Sequence, residues 1–284
     1  MKLSLGTAQF GSNYGVKGGV KVEEGEVRKI LRVCQSNGIE SLDTATLYGD
    51  SEKILGLCNV ENFKVVTKIP AISHSSSPTE MLEAHLAESL KRLGVKKLDG
   101  LLLHSSDDLM TKKGEMVFNA LEKTKPRRVA KVGVSVYCPE VLQSILNHYP
   151  IDLVQIPYNP IDSRWDDLIL TMSKLGTEIH VRSIFLQGLL LMRKAELPKY
   201  FKQWEVQLDG WFDWVDASKV SGIGNCLNYA NQNEDIEKVV VGVDSSEQLL
   251  EIIGLVEAER RISFPKALQV DDPGLLNPAN WQIN

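Results

Sequence analysis

Asp43, Tyr48, Lys68 and His104 each stand at or just beyond the end of a short apolar run in the chain. Ile39-Glu40-Ser41-Leu42 leads into Asp43, Phe63-Lys64-Val65-Val66-Thr67 into Lys68, and Leu101-Leu102-Leu103 into His104. If these runs are neighbouring parallel strands, a carboxylate, a phenol, an amine and an imidazole meet at one face of an α/β barrel, the face where such barrels build their sites. A free phenol titrates near ~10, too high for efficient proton exchange at neutrality, and a nearby ammonium favours the phenolate. Lys68 can supply that ammonium for Tyr48. Asp43 can keep Lys68 charged and in place through a charge-assisted hydrogen bond, and His104 can orient a substrate oxygen. Such a group suits proton delivery to a carbonyl oxygen. Each residue alone also has an ordinary reading, as a surface ion pair, a backbone-capping histidine or a rim tyrosine.

The elements needed to position these residues are legible in the chain. Strand-like runs lie near 3–9, 41–44, 64–68, 100–104, 131–135, 153–157, 179–183 and 239–243. Helix-like segments separate them, an alternation that argues for βα units around a parallel sheet. In 23–37, Val27, Ile30, Leu31 and Cys34 form an amphipathic stripe, and Asn37-Gly38 ends it. Pro78 opens a second helix carrying Leu82, Leu86, Leu90 and Leu93, with Gly94 as its stop. Segments 139–147 and 246–259 read the same way. Eight strands in sequence favour a single closed (β/α)8 barrel over 1–284. The long stretch 187–238, rich in Trp and Phe, breaks the rhythm. It reads either as helices packed on the barrel or as a binding lid.

The chain has 284 residues, a net charge of -5, and 43% hydrophobic and 24% charged residues, an ordinary globular composition. The acidic balance offers no electrostatic footprint for nucleic acid. No run approaches the ~18 apolar residues of a membrane span, and the opening residues lack the pattern of a secretory leader, so a cytoplasmic location is expected. Cys34, Cys58, Cys138 and Cys226 are too scattered for a zinc site, and no metal is expected. Gly11-Ser12-Asn13-Tyr14-Gly15 lacks both dinucleotide and P-loop glycine patterns and reads as a flexible rim loop. Tyr14 is a candidate for substrate contact or for packing.

The segment Leu42-Asp43-Thr44-Ala45-x-x-Tyr48-Gly49-x-Ser51-Glu52-x-x-Leu55-Gly56 resembles the signature of the aldo-keto reductases. The likeness continues through Thr67-Lys68, His104, Gly133-Val134-Ser135, Gln155-x-x-Tyr158-Asn159 and Gln187-Gly188-Leu189-Leu190. The resemblance implies a (β/α)8 barrel that uses a nicotinamide cofactor to interconvert carbonyl and alcohol. It makes Tyr48 the general acid/base, tuned by Lys68 and Asp43, with His104 orienting the carbonyl. It also implies that Ser135 and Gln155 contact the nicotinamide carboxamide and that Tyr158 stacks on its ring. By the same resemblance Gln187, Gly188 and Leu190 line the pyrophosphate site, and Gly242, Asp244, Ser246 and Gln248 belong to the adenosine segment. Gln155 can alternatively satisfy a neighbouring strand end.

The chain departs from the family pattern at three points. Val136 follows Ser135 where Asn is usual, Asp244 replaces a basic residue common at the NADP 2′-phosphate, and Ile252 stands where an adenine-contacting Asn is frequent. The family favours NADP(H) and Asp244 favours NAD(H), so both cofactors stay open. The N-terminal hairpin of many relatives is not expected, which leaves the barrel base to side chains or to the tail 264–284, read as an irregular wrap. Arg182 reads as pairing with a rim carboxylate in preference to binding an anionic substrate. With Ser12, Asn13 and Asn159 it suits a sugar-like carbonyl. A second hypothesis is a dinucleotide-binding regulatory or sensor protein with vestigial chemistry, and a third uses Lys68 as a Schiff-base amine. Monomer and homo-oligomer are both compatible with the sequence.

Overall fold

The computed structural model of the chain describes residues 2–13, 15–16, 19–258 and 261–282. Tyr14 and the end of the helix predicted to reach 259 lie outside the described residues. Eight parallel strands close into a barrel in sequence order: β1 (Leu3–Gly6), β2 (Ser41–Asp43), β3 (Lys64–Ile69), β4 (Leu98–Leu103), β5 (Val129–Ser135), β6 (Leu153–Pro157), β7 (Glu178–Arg182) and β8 (Lys238–Gly242). The (β/α)8 barrel expected from the alternation of elements is the fold observed. One boundary moves appreciably: the first strand, predicted over 3–9, stops at Gly6, because Ala8–Gly11 coils into a helical turn.

Strand periodicity divides the side chains into two sets. Leu5, Leu42, Val65, Leu101, Val132 and Val154 point outward and are buried beneath the helices. Helix Glu24–Ser36 meets them with Val27, Ile30, Leu31 and Cys34, and helix Pro78–Leu93 with Leu82, Leu86 and Leu93. The latter ends at Gly94, whose φ of 68° is the left-handed stop anticipated for that glycine.

Residues aligned across paired strands share a side of the sheet, and the register fixes which ones point inward. Asp43 aligns with Val66, Lys68 with Leu102, Gly133 with Leu153, Ser135 with Gln155, and Pro157 with Arg182. Val66, Leu102 and Leu153 form a small fully buried apolar plug inside the barrel. Two residues further along their strands, Lys68 and Gln155 form a polar layer with Asp43 at the end where the βα loops emerge. Gly133 makes room for the plug, since a Cβ there would run into the carbonyl oxygen of Leu153.

The segment between β7 and β8 contains helices Glu205–Ser218 and Gly222–Asn231 after three short 3-10 turns. Phe201, Trp204 and Trp211 are buried in a second apolar cluster with Leu186, Leu189, Leu275 and Leu276. The indole of Trp211 donates to the Leu190 carbonyl at 3.0 Å, and that of Trp204 to Asp272 at 2.8 Å. Of the two readings open for these tryptophans, packing is the one observed. The C-terminal tail joins the same cluster, with the Val270 amide donating to the Ile161 carbonyl at 2.8 Å. It therefore lies against segments leaving the C-terminal ends of β6 and β7 and does not cover the barrel base. Its irregular character agrees with expectation, broken only by short turns at Lys266–Leu268, Pro273–Leu276 and Pro278–Asn280.

Gly133→Ala should overpack the barrel interior and destabilise the fold by about 3 kcal/mol or more, because backbone must move. Urea unfolding followed by circular dichroism measures it; an unchanged midpoint would contradict the packing described.

Candidate active site

Lys68 is wholly buried in the barrel, and a buried ammonium requires partners. Its Nζ donates to Asp43 Oδ1 at 2.6 Å and to the Thr44 carbonyl at 3.0 Å. The other Asp43 oxygen, Oδ2, accepts from Gln155 Nε2 at 2.7 Å. Both charges are thus paired and hydrogen-bonded, the condition under which a buried ion pair is tolerated. Asp43 is the last residue of β2 and Lys68 the penultimate residue of β3, so adjacency of two strands makes the pair.

Tyr48 lies on the turn between β2 and helix Ser51–Leu57. Side chains of the surrounding signature hold that turn. Ser51 Oγ donates to the Thr7 carbonyl at 2.9 Å and lies 3.1 Å from Thr44 Oγ1. Thr67 Oγ1 donates to the buried Glu52 at 2.7 Å. A Cβ on Gly11 would collide with the Tyr48 carbonyl, so the glycine of the first loop serves close backbone approach. Lys68 Nζ sits 5.1 Å from the Tyr48 ring centroid, and the His104 ring meets Tyr48 edge to face at 5.8 Å. All four residues singled out from the sequence are brought together.

The electrostatics differ from the sequence expectation in one respect. Burial, followed by the Asp43 carboxylate, raises the Tyr48 pKa above that of a free phenol. The cation opposing this rise is Arg182; the lowering expected from Lys68 is not what sets the balance. Burial also lowers the Lys68 pKa, against the pull of Asp43. His104 is lowered to about 4 by burial and by the Lys68 and Arg182 charges. Near neutrality Tyr48 is therefore a protonated phenol and His104 a neutral imidazole.

A cleft of about 370 Å³ is lined by Tyr48, His104 and Asp43 together with Gln187, Gly188, Gly242, Asp244, Gln248 and Glu251. The stretch after β7 that forms its wall holds Ser183, Leu186, Gln187 and Gly188 at positive φ, a concentration of unusual backbone often found at ligand sites. Five of the residues expected at the cofactor line this cleft: Gln187, Gly188, Gly242, Asp244 and Gln248.

The other five have these partners within the chain. Gln155 Nε2 donates to Asp43, and its Oε1 has no hydrogen-bond partner among the described residues. Tyr158 stacks on Tyr229 with centroids 4.7 Å apart. Leu190 is buried in the second apolar cluster. The Ser246 amide and hydroxyl both donate to Glu26 Oε1, each at 2.7 Å. Ser135 Oγ accepts from Arg182 Nε and Nη2 at 3.3 Å. Among the described residues Arg182 pairs with no carboxylate, which overturns the rim pairing preferred for it.

Sequence reading missed Tyr137, Gln9 and Glu251, which also line the cleft. Tyr137 stands two residues beyond Ser135, and the guanidinium of Arg182 lies 3.8 Å from its ring centroid. Strand alternation carries a usable signal here, since β7 places Glu178, His180 and Arg182 on the inward side.

The geometry is that of a buried ion pair behind a phenol and a neutral imidazole, opening on a cleft. Comparison with known proteins agrees with it. The sequence profile of the aldo/keto reductase family matches residues 2–265. Oxidoreductase sirO of Leptosphaeria maculans is 26% identical over 89% of this chain and 88% of its own length. Aldo-keto reductase str7 of Strobilurus tenacellus is 29% identical over 66% of this chain and 58% of its own. The solved holo structure of an aldo-keto reductase from Bacillus halodurans superposes with a TM-score of 0.75 at 19% identity, covering 99% of this chain and 94% of that one. The chain belongs to the aldo-keto reductase family and is an NAD(P)-dependent oxidoreductase.

Proposed function

We propose that the protein reversibly reduces an aldehyde or ketone to the alcohol with Tyr48 as general acid/base, and that it prefers NAD(H) to NADP(H). The observation carrying the first part is the opening of Tyr48 and His104 onto the cleft with the Lys68–Asp43 pair directly behind. Gln187, Gly188, Gly242, Asp244 and Gln248 would hold the cofactor. Bound there, NAD(P)H supplies the hydride that reaches the carbonyl carbon. Tyr48 donates its phenolic proton to the carbonyl oxygen as charge develops on it. His104, neutral, hydrogen-bonds that same oxygen and orients it. The charge of Arg182 favours the phenolate left on Tyr48, which takes a proton back before the next turnover.

The cofactor preference rests on three carboxylates. Asp244 and Glu251 line the cleft, where a 2′-phosphate would be repelled and a ribose hydroxyl could donate to an acceptor. Glu26 occupies the amide and hydroxyl of Ser246 at the start of helix Ser246–Glu257, donors that an adenosine phosphate would otherwise use. Those bonds lower the Glu26 pKa to about 2, so it is ionised throughout the working range.

We likewise take residues 1–284 as one domain, because the tail packs on the segment following β7. A cytoplasmic location is supported by four free thiols, and among the described residues no helix is long and apolar enough to cross a membrane. The sugar-like substrate expected from polar rim residues has less support. Ser12, Asn13 and Asn159 do not line the cleft, and Asn159 is fully buried with its side chain accepting from the Ile161 amide.

Tyr48→Phe should bind NADH with unchanged affinity and lose turnover by at least about 100-fold, the scale of a general acid. Stopped-flow reduction of an aldehyde panel measures this, and wild-type rates would refute the role of Tyr48. A protein that binds dinucleotide but turns over no carbonyl would favour the sensor reading. Fluorescence titration should find NADH bound about tenfold or more tightly than NADPH, a difference of ~1.4 kcal/mol. Glu26→Gln should narrow that ratio; a preference for NADPH in the wild type would overturn the assignment. Because His104 is depressed to about 4, kcat/KM should be flat from pH 6 to 8 as far as this residue is concerned. An inflection near 6.5 that disappears in His104→Gln would contradict its neutral state.

A further inference from the structure

Arg182 carries a charge that the protein leaves unbalanced at the reacting end of the cleft. Lys68 is neutralised by Asp43 at 2.6 Å, His104 is uncharged, and among the described residues no carboxylate pairs with Arg182. Its hydrogen bonds all run to neutral oxygens: Nε and Nη2 to Ser135 Oγ at 3.3 Å, Nη2 to the Val136 carbonyl at 3.3 Å, and Nη1 to Ser183 Oγ at 3.5 Å. Charge-assisted bonds to a carboxylate run to about 2.7–2.9 Å, so every one of these is long and weak.

The side chain is nonetheless held. One face of the guanidinium is stacked at 3.8 Å on Tyr137, and its strand, β7, fixes the backbone. It is a rigid, half-buried planar fork lining the cleft with Tyr48 and His104, and Nη1 retains donor capacity. Such a fork matches a carboxylate in geometry and charge better than it matches a hydroxyl or an amide. Its charge also reaches Tyr48, Lys68 and His104, which puts it beside the proton-transfer group.

We propose that Arg182 anchors the substrate, and that the preferred substrates are carbonyl compounds bearing a carboxylate next to the carbonyl, the 2-oxo acids. The carboxylate binds the guanidinium fork, and the adjacent carbonyl oxygen is thereby directed to Tyr48 and His104. This inference rests on the reductase reading above. It is a statement about substrate class, with Arg182 as the specificity-determining residue.

Benzoylformate and its methyl ester test it, because esterification removes the negative charge and keeps the 2-oxo group, and comparing the two enzymes cancels the intrinsic difference in reactivity. In the wild type and in Arg182→Gln, kcat/KM is measured for both with saturating NADH. The acid-to-ester ratio should fall by about 10- to 100-fold in the variant, the scale of a hydrogen-bonded charge, whatever happens to each rate alone. Arg182→Lys should lose part of the ratio, keeping charge without the fork; it also guards against misfolding of the glutamine variant. An unchanged ratio would overturn the proposal. So would a loss of NADH affinity in Arg182→Gln with the ratio preserved, which would assign the residue to the cofactor. If the wild type reduces neither compound, the reductase reading fails for these substrates. Calorimetric titration of benzoylformate into the NADH complex then decides the anion site separately. Binding that Arg182→Gln abolishes supports the site, and no binding by the wild type refutes it.

Discussion

The interaction on which the site depends is the ion pair between Lys68 and Asp43, sealed inside the barrel at 2.6 Å. Removing one member of such a pair leaves the other charge buried and unpaired, a cost of about 3–5 kcal/mol. The neighbourhood is built to prevent that. Thr44 presents its carbonyl to the ammonium and Gln155 its amide to the second carboxylate oxygen, while Val66, Leu102 and Leu153 keep water from below. The pair then serves as a fixed floor for Tyr48, whose turn is tied down by Ser51, Thr44 and Gly11. Burial of the phenol keeps it protonated, the state in which it can donate.

The cleft is lined by side chains of both charge signs. Arg182 brings a positive charge close to Tyr48, Asp244 and Glu251 bring negative charge, and Glu26 at Ser246 adds a third carboxylate. These charges link the two specificity questions the family resemblance leaves open. In the functional proposal Asp244 and Glu251 bear on which dinucleotide binds, and Arg182 on which carbonyl compound reaches the phenol. Neither is determined by the barrel itself; each is set by one or two side chains.

Much of this was legible in the sequence, for identifiable reasons. Alternation along short β-branched runs fixes which residues face inward, so the convergence of Asp43, Lys68 and His104 follows once strand order is known. Tyr48 was harder in principle, since it lies on a turn, but the signature around it is dense. The partners of the residues expected at the cofactor were less legible, because those partners lie far away in sequence. Gln155 finds Asp43, Tyr158 finds Tyr229 on helix Gly222–Asn231, and Ser246 finds Glu26, contacts that no local pattern announces. Tyr137 was overshadowed by the anomalous Val136 beside it. The tryptophan-rich stretch was ambiguous because aromatic residues serve equally as core and as lid; Trp204 and Trp211 pack in the cluster that the tail residues Leu275 and Leu276 complete.

The central claim is that Lys68 and Asp43 act as a unit behind Tyr48. A double-mutant cycle of Asp43→Asn and Lys68→Met, read on kcat with NADH saturating, tests it most directly. The account predicts strong non-additivity: each single variant loses most turnover, and the double variant loses little more than either. Losses that simply add would mean that the two residues act independently and would contradict it.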